Sequence, residues 1–101
     1  MIDLNDIEII EGDTTATTQQ YYESIQKAIN TGLWGLQGSY GRTMMAAIND
    51  GYCMLGRNEA HDYYGNHIPS RDQVQAGTKG SFDYVAAECG EGWAQHMSEV
   101  K

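Results

Sequence analysis

The sequence predicts a small, mainly α-helical domain. Three helices are expected at about 17–31, 39–50 and 81–98, with a short extended N-terminal arm and a long loop at 57–80. Three observations predict this. Apolar residues recur at three- and four-residue intervals in each helical stretch. The phrase Ala-Ile-Asn-x-Gly occurs at 28–32 and again at 47–51. The length of 101 residues and the 41% hydrophobic content are those of one globular domain, residues 1–101.

The first segment opens with an acidic arm, residues 1–13. Ile7 and Ile9 alternate with Glu8, the pattern of a short strand. One strand makes no sheet, so the arm is expected to lie on the helices, pair with a second segment, or pair with another chain.

The first helix begins at Thr17, which has capping-box spacing to Gln20. Tyr21, Tyr22, Ile25, Ala28 and Ile29 form its apolar face, and Glu23 stands four residues before Lys27. Gly32 sits where a left-handed C-terminal cap is needed. The second helix starts near Ser39, turns Tyr40, Met44, Ala47 and Ile48 inward, and stops at Gly51. The repeated phrase is therefore a helix's last turn and its cap, followed by an apolar latch, Leu33-Trp34 in one copy and Tyr52-Cys53 in the other. Leu36 and Leu55 occupy matching places. No acid, base or nucleophile is shared between the copies, so the repeat is architectural.

The helical rhythm stops between Arg57 and Gly80. Connections inside compact domains average about 4–6 residues, and segments as long as this one often carry function. Ser70 could cap a single turn ending near Gln75. The third helix is capped by Ser81 and presents Phe82, Val85, Ala86, Cys89, Trp93 and Met97, with Gly90 and Gly92 as weak points.

Charge narrows the function. Fourteen acidic residues oppose six basic ones, a net of −8, and Asp3, Asp6, Glu8, Glu11, Asp13 and Glu23 all precede Lys27. Such a surface repels nucleic acid and attracts basic protein surfaces. Arg42, Arg57, Arg71 and Lys79 are interleaved with Asp50, Glu59, Asp62 and Asp72, which argues against direct nucleic-acid binding. No apolar run approaches the roughly 18 residues of a membrane span. The N-terminus lacks the plan of a secretory signal. The two cysteines, Cys53 and Cys89, sit among apolar neighbours and read as buried free thiols. The expectation is a cytoplasmic protein.

Catalytic signatures are weak. His61, Asp62 and His67 lie close in sequence but lack the paired spacing of a zinc site. The cysteines are in apolar runs that disfavour the thiolate. Gly35, Gly38, Gly41 with Arg42, and the Gly77–Gly80 stretch, match no phosphate-binding loop. No catalytic residue, metal ligand or cofactor is assigned. The recognition signal is stronger: Arg57, His61, Tyr63, Tyr64, His67 and Arg71 crowd one polar loop, and Tyr and Arg dominate interface hot spots.

In size, acidity and lack of a catalytic signature the chain resembles small phage-encoded accessory proteins, including inhibitors of host defence such as anti-CRISPRs. The likeness lies in composition and covers no motif. It implies a non-catalytic inhibitor that docks on a larger protein with a basic surface, a nucleic-acid-binding site being one such surface. Asp3, Asp6, Glu8, Glu11 and Asp13 would meet that surface, and the loop residues would supply specific contacts. The alternatives are a small-ligand or metal-binding protein using the His61–His67 loop, or a structural subunit that assembles by strand addition through Ile7–Ile10.

Overall fold

The structure, a computed structural model, describes residues 4–12, 16–35 and 38–100. Its order is helix α1 (Leu4–Ile10), helix α2 (Thr18–Asn30), a 3-10 turn (Leu33–Gly35), helix α3 (Gly38–Asn49), a two-stranded hairpin β1 (Ala60–His61) and β2 (His67–Ile68), then helices α4 (Phe82–Cys89) and α5 (Glu91–Ser98). The mainly α class follows the sequence. α1 packs on α2, α2 on α3, and α4 on α5.

The N-terminal arm is the main correction. It is helical, not extended. Read at helical spacing, Asp6, Ile9 and Ile10 share one face, and Asp6 and Ile9 are buried. The apparent alternation of Ile7, Glu8 and Ile9 concealed this face because its first member is a carboxylate. Asp6 is only 4% exposed. Its Oδ1 accepts from Ser24 Oγ at 2.8 Å and pairs with Lys27 Nζ at 3.4 Å, both on α2. A buried carboxylate without such partners would be too costly to keep. With this segment helical, it offers no strand for assembly by strand addition.

α2 begins, and both repeat copies end, where local chemistry directs, whereas Ser39, expected to cap the second helix, lies inside α3, which starts at Gly38. Thr17 caps α2 through a reciprocal box: Thr17 Oγ1 accepts from Gln20 N at 3.1 Å, and Gln20 Oε1 accepts from Thr17 N at 2.8 Å. Both copies of the repeat close alike. Gly32 N donates to Ile29 O, and Gly51 N to Ile48 O, each at 3.1 Å, with φ of +77° and +83°. That conformation is costly for any residue with a Cβ. The apolar latches fold back as expected, with Trp34 and Cys53 fully enclosed. Leu36 lies outside the described residues.

Two further corrections concern the C-terminal half. The helix expected at 81–98 is two helices that meet at Gly90, whose N–H donates to Ala86 O at 2.9 Å as α4 ends. Ser81 caps the first, its Oγ accepting from Tyr84 N at 3.1 Å. The 57–80 loop is not structureless: β1 and β2 pair antiparallel, Ala60 with Ile68 and His61 with His67. Beyond them, Ser70 does not cap a turn with its hydroxyl. Its backbone exchanges bonds with Gln73, whose N donates to Ser70 O at 3.1 Å and whose Oε1 accepts from Ser70 N at 2.8 Å.

The centre of the molecule is an extended segment, Tyr52–Gly56, with Cys53, Met54 and Leu55 buried among Ile25, Met44, Ile48, Val85 and Met97. Burying each such side chain contributes about 1.5–3 kcal/mol. Its backbone still needs partners, and among the described residues no strand pairs with it. Side chains and other backbone groups do so. Trp93 Nε1 donates to Tyr52 O at 2.8 Å. Gln26 bonds both the N–H and the C=O of Met54, each at 2.9 Å. Arg71 Nε donates to Leu55 O at 2.7 Å. Backbone bonds from Tyr52 N and Cys53 N to Ala47 O, from Leu55 N to Gly80 O and from Arg71 N to Gly56 O add to these. The long loop is thus tied into the core from both sides.

Candidate functional site

The hairpin projects from this core. Asp62 builds its tip: one carboxylate oxygen accepts from Tyr64 N at 2.9 Å and Asn66 N at 2.8 Å, and the other from Asn66 Nδ2 at 3.2 Å. This is an Asx turn, reinforced by two backbone bonds: Asp62 N donates to Asn66 O and Gly65 N donates to Asp62 O, each at 3.0 Å. Asx chemistry explains why a loop rich in Gly and Asn holds one shape. Those bonds favour the charged carboxylate and hold Asp62 below the ordinary range, the Asn66 N–H contributing most.

The sign of the consequence is fixed. A carboxyl with a depressed folded-state pKa stabilises above its unfolded pKa, and that contribution is lost as pH falls through the folded value. We expect the tip to keep its shape at neutral pH and to loosen on acidification, below the usual aspartate range. Amide exchange of Tyr64 and Asn66 followed by NMR against pH reads this directly. Unchanged protection through that range would contradict the role given to Asp62.

The tip presents Tyr63 and Tyr64, 57% and 69% exposed, the two large hydrophobic side chains left open to solvent among the described residues. Their rings meet edge to face at 5.3 Å. Behind them lies a largely apolar cavity of about 190 Å³, walled by Trp34, Met45, Ile68 and both tyrosines, with Arg42 and Asp62 supplying charge. The cavity is smaller than the roughly 300–1,000 Å³ of a pocket for a drug-sized ligand. It has room for one side chain.

The remaining loop residues divide by role. Arg71 is half-buried and anchors the chain to Leu55 O and to Asn30 Oδ1, the latter at 3.2 Å. Burial, and then the nearby Arg57, push its guanidinium down from the usual value. Arg57 donates to Ser98 O at 2.6 Å. His61 and His67 face each other across the hairpin with ring centroids 5.8 Å apart. His67 Nε2 lies 3.1 Å from Glu59 Oε1. Glu59 is held below its ordinary range chiefly by a hydrogen bond from Gln73, then by His67. Among the described residues no three His, Cys, Asp or Glu side chains come together as metal ligands would.

The acidic residues also divide. Asp6 faces inward, Glu11 accepts from the Tyr40 hydroxyl, and Glu8 is exposed. Asp3 and Asp13 lie outside the described residues. Cys53 and Cys89 are both free thiols. Cys53 is enclosed, donates to Tyr22 O at 3.4 Å, and is pushed far above the usual thiol range by burial and then by Cys89. Cys89 is only half-buried, more open than expected.

No protein-family model matches the chain, and neither a curated protein nor a solved structure is significantly similar to it. The site must be read from its own geometry. Of the cavity's lining the sequence points to Tyr63 and Tyr64 as recognition residues, and not to Asp62, Trp34, Arg42, Met45 or Ile68. Nothing local signals the last four as a group. They come from three segments that meet only because the hairpin folds over the 3-10 turn and the start of α3. Among the described residues no helix is long and apolar enough to cross a membrane.

Proposed function

We propose that the chain is a non-catalytic protein-binding module. It docks on a larger protein with a basic surface, in the manner of the small acidic phage-type inhibitors it resembles in composition, and works in the cytoplasm. The observation that carries this reading is the exposed Tyr63–Tyr64 pair on an Asx-braced hairpin, set against a cavity the size of one side chain. Rigid aromatic side chains lose little entropy on docking and give large contact area. The cavity would receive an apolar anchor from the partner. The exposed carboxylates, Glu8 among them, would steer the approach, so binding should weaken as salt rises.

The size of the cavity disfavours the small-ligand alternative. Asp62 is already engaged by the turn, which disfavours a metal at His61 and His67. The enclosed, protonated thiol of Cys53 is a poor nucleophile at neutral pH.

The test is affinity capture from a lysate at low and moderate salt, with the native chain beside Tyr63→Ser, Tyr64→Ser and the double variant. Both tyrosines are exposed, so folding should survive. We expect a dominant partner at low salt, its affinity reduced at least about tenfold by either single change, as for hot-spot residues worth about 1.4 kcal/mol or more. Equal capture by the native and double-variant proteins would remove the hairpin from the interface.

A further inference from the structure

A second concave surface lies between α2 and α3, away from the hairpin cavity. Tyr21, Tyr22 and Ile25 form one wall, Ala46 and Asp50 the other, around about 180 Å³. Tyr22 is stacked on Tyr52, with centroids 4.2 Å apart and planes 11° from parallel. Tyr21 meets Tyr22 edge to face at 5.1 Å, and Trp93 closes the series against Tyr52 at 6.3 Å. All four rings are half-buried. This aromatic row is therefore fixed by packing rather than free to rotate away.

The charge around the row has one sign. Asp50 is exposed at the groove's edge, and no Lys or Arg lines the groove among the described residues. Asp50 lines the groove with Tyr21 and Tyr22 and acts on Tyr22, so this carboxylate sits beside the aromatic row. Tyr22 is raised above the ordinary tyrosine range, by burial first and then by neighbours that include Asp50. Two tyrosine rings, apolar Ile25, Ala46 and Ala47 and one carboxylate around a groove favour a cation on an apolar stem. Of the two candidate side chains, arginine fits better. Its planar guanidinium stacks on rings and pairs with a carboxylate through two parallel N–H donors, whereas the lysine ammonium is a compact, strongly hydrated point charge.

We propose that this groove receives an arginine side chain from a protein partner, stacked against the Tyr21–Tyr22 wall and paired with Asp50. The proposal extends the protein-binding reading to a second surface. It rests on that reading only in taking the arginine from a protein. It also accounts for a use of the acidic surface that is local and structured, in place of a diffuse N-terminal cluster.

The probe is a capped Gly-Arg-Gly peptide titrated into the full chain and followed by amide shifts in NMR, with Gly-Lys-Gly and Gly-citrulline-Gly as controls. Citrulline keeps the shape of arginine and removes its charge. Saturating shifts are expected at residues 21–25 and 43–50. Affinity should fall by about threefold with lysine and be lost with citrulline. Asp50→Asn should weaken the arginine peptide by about fivefold, Tyr21→Leu by a similar factor, and Glu91→Gln not at all. Shifts spread equally over Glu59, Asp72 and Glu91, or an Asp50→Asn variant that binds as well as the native chain, would overturn the proposal. Equal binding of the lysine peptide would overturn the choice of arginine. The titration needs no partner and no hairpin residue. A failure here therefore leaves the Tyr63–Tyr64 result standing, and a failure there leaves this one standing.

Discussion

Replacing Gln26 by methionine should destabilise the fold by roughly 2–6 kcal/mol, a large fraction of the roughly 5–15 kcal/mol available to a domain. Gln26 is fully buried. Its amide accepts from Met54 N and donates to Met54 O, each at 2.9 Å, so it does for the central segment what a neighbouring strand would do in a sheet. It also donates to Asn30 Oδ1 at 3.1 Å. Methionine has nearly the same shape, so packing is preserved while two buried backbone groups lose their partners, at about 1–3 kcal/mol each. Thermal unfolding followed by circular dichroism should show the midpoint falling by at least about 8 °C.

Gln26→Glu gives a sharper check. A buried glutamate there has a raised pKa in the folded state, because only its protonated form can donate to Met54 O. Its stability should be greatest below the unfolded glutamate pKa and fall as pH rises through the folded value. A Gln26→Met protein as stable as the native one, or a Gln26→Glu protein indifferent to pH, would mean that Met54 finds its partners elsewhere.

Gly80→Ala should cost about 2–5 kcal/mol, from two separate causes. The backbone there has φ of +94°, which alone costs about 1–2 kcal/mol for a residue with a Cβ. A Cβ at Gly80 would also lie 2.6 Å from Leu55 Cδ1 and 2.7 Å from Leu55 Cγ. Leu55 is buried and pinned, its N–H donating to Gly80 O at 3.0 Å, so it cannot withdraw. Overpacking of this kind adds about 1–3 kcal/mol. Gly77→Ala separates the causes, because Gly77 has a similar φ of +88° but nothing within 4 Å of its would-be Cβ. Urea unfolding of both variants should show Gly80→Ala clearly the worse. Equal losses would leave only the backbone cause and deny the close approach of the loop to the core.

These two sites mark where sequence reasoning stopped. Gln26 was passed over within the first helix, because a glutamine between Ile25 and Lys27 looks like a solvent-facing residue at helical spacing. Gly80 looked like one more turn glycine. Arg71 reads as a recognition residue, because nothing nearby in sequence indicates that its guanidinium anchors Leu55 O. In each case the deciding partner lies far along the chain.

By itself the sequence determined the mainly α class, the Thr17–Gln20 and Ser81 caps, the glycine ends of both repeat copies and the inner faces of α2 and α3. These depend on groups within about four residues of each other, a range over which backbone geometry alone brings side chains together. It also placed Tyr63 and Tyr64 together on one polar loop, but not the hairpin or the Asx turn that presents them. Only the tertiary structure decided that Asp6 faces inward, where Ser24 and Lys27 satisfy it. Only the tertiary structure decided that Tyr52–Gly56 crosses the core with the side chains of Gln26, Arg71 and Trp93 among its backbone's partners, and that Trp34 and Arg42 meet Tyr63 and Tyr64. A buried polar group is tolerated only when its partner arrives. Whether it arrives depends on how distant segments pack, which spacing along the chain does not encode.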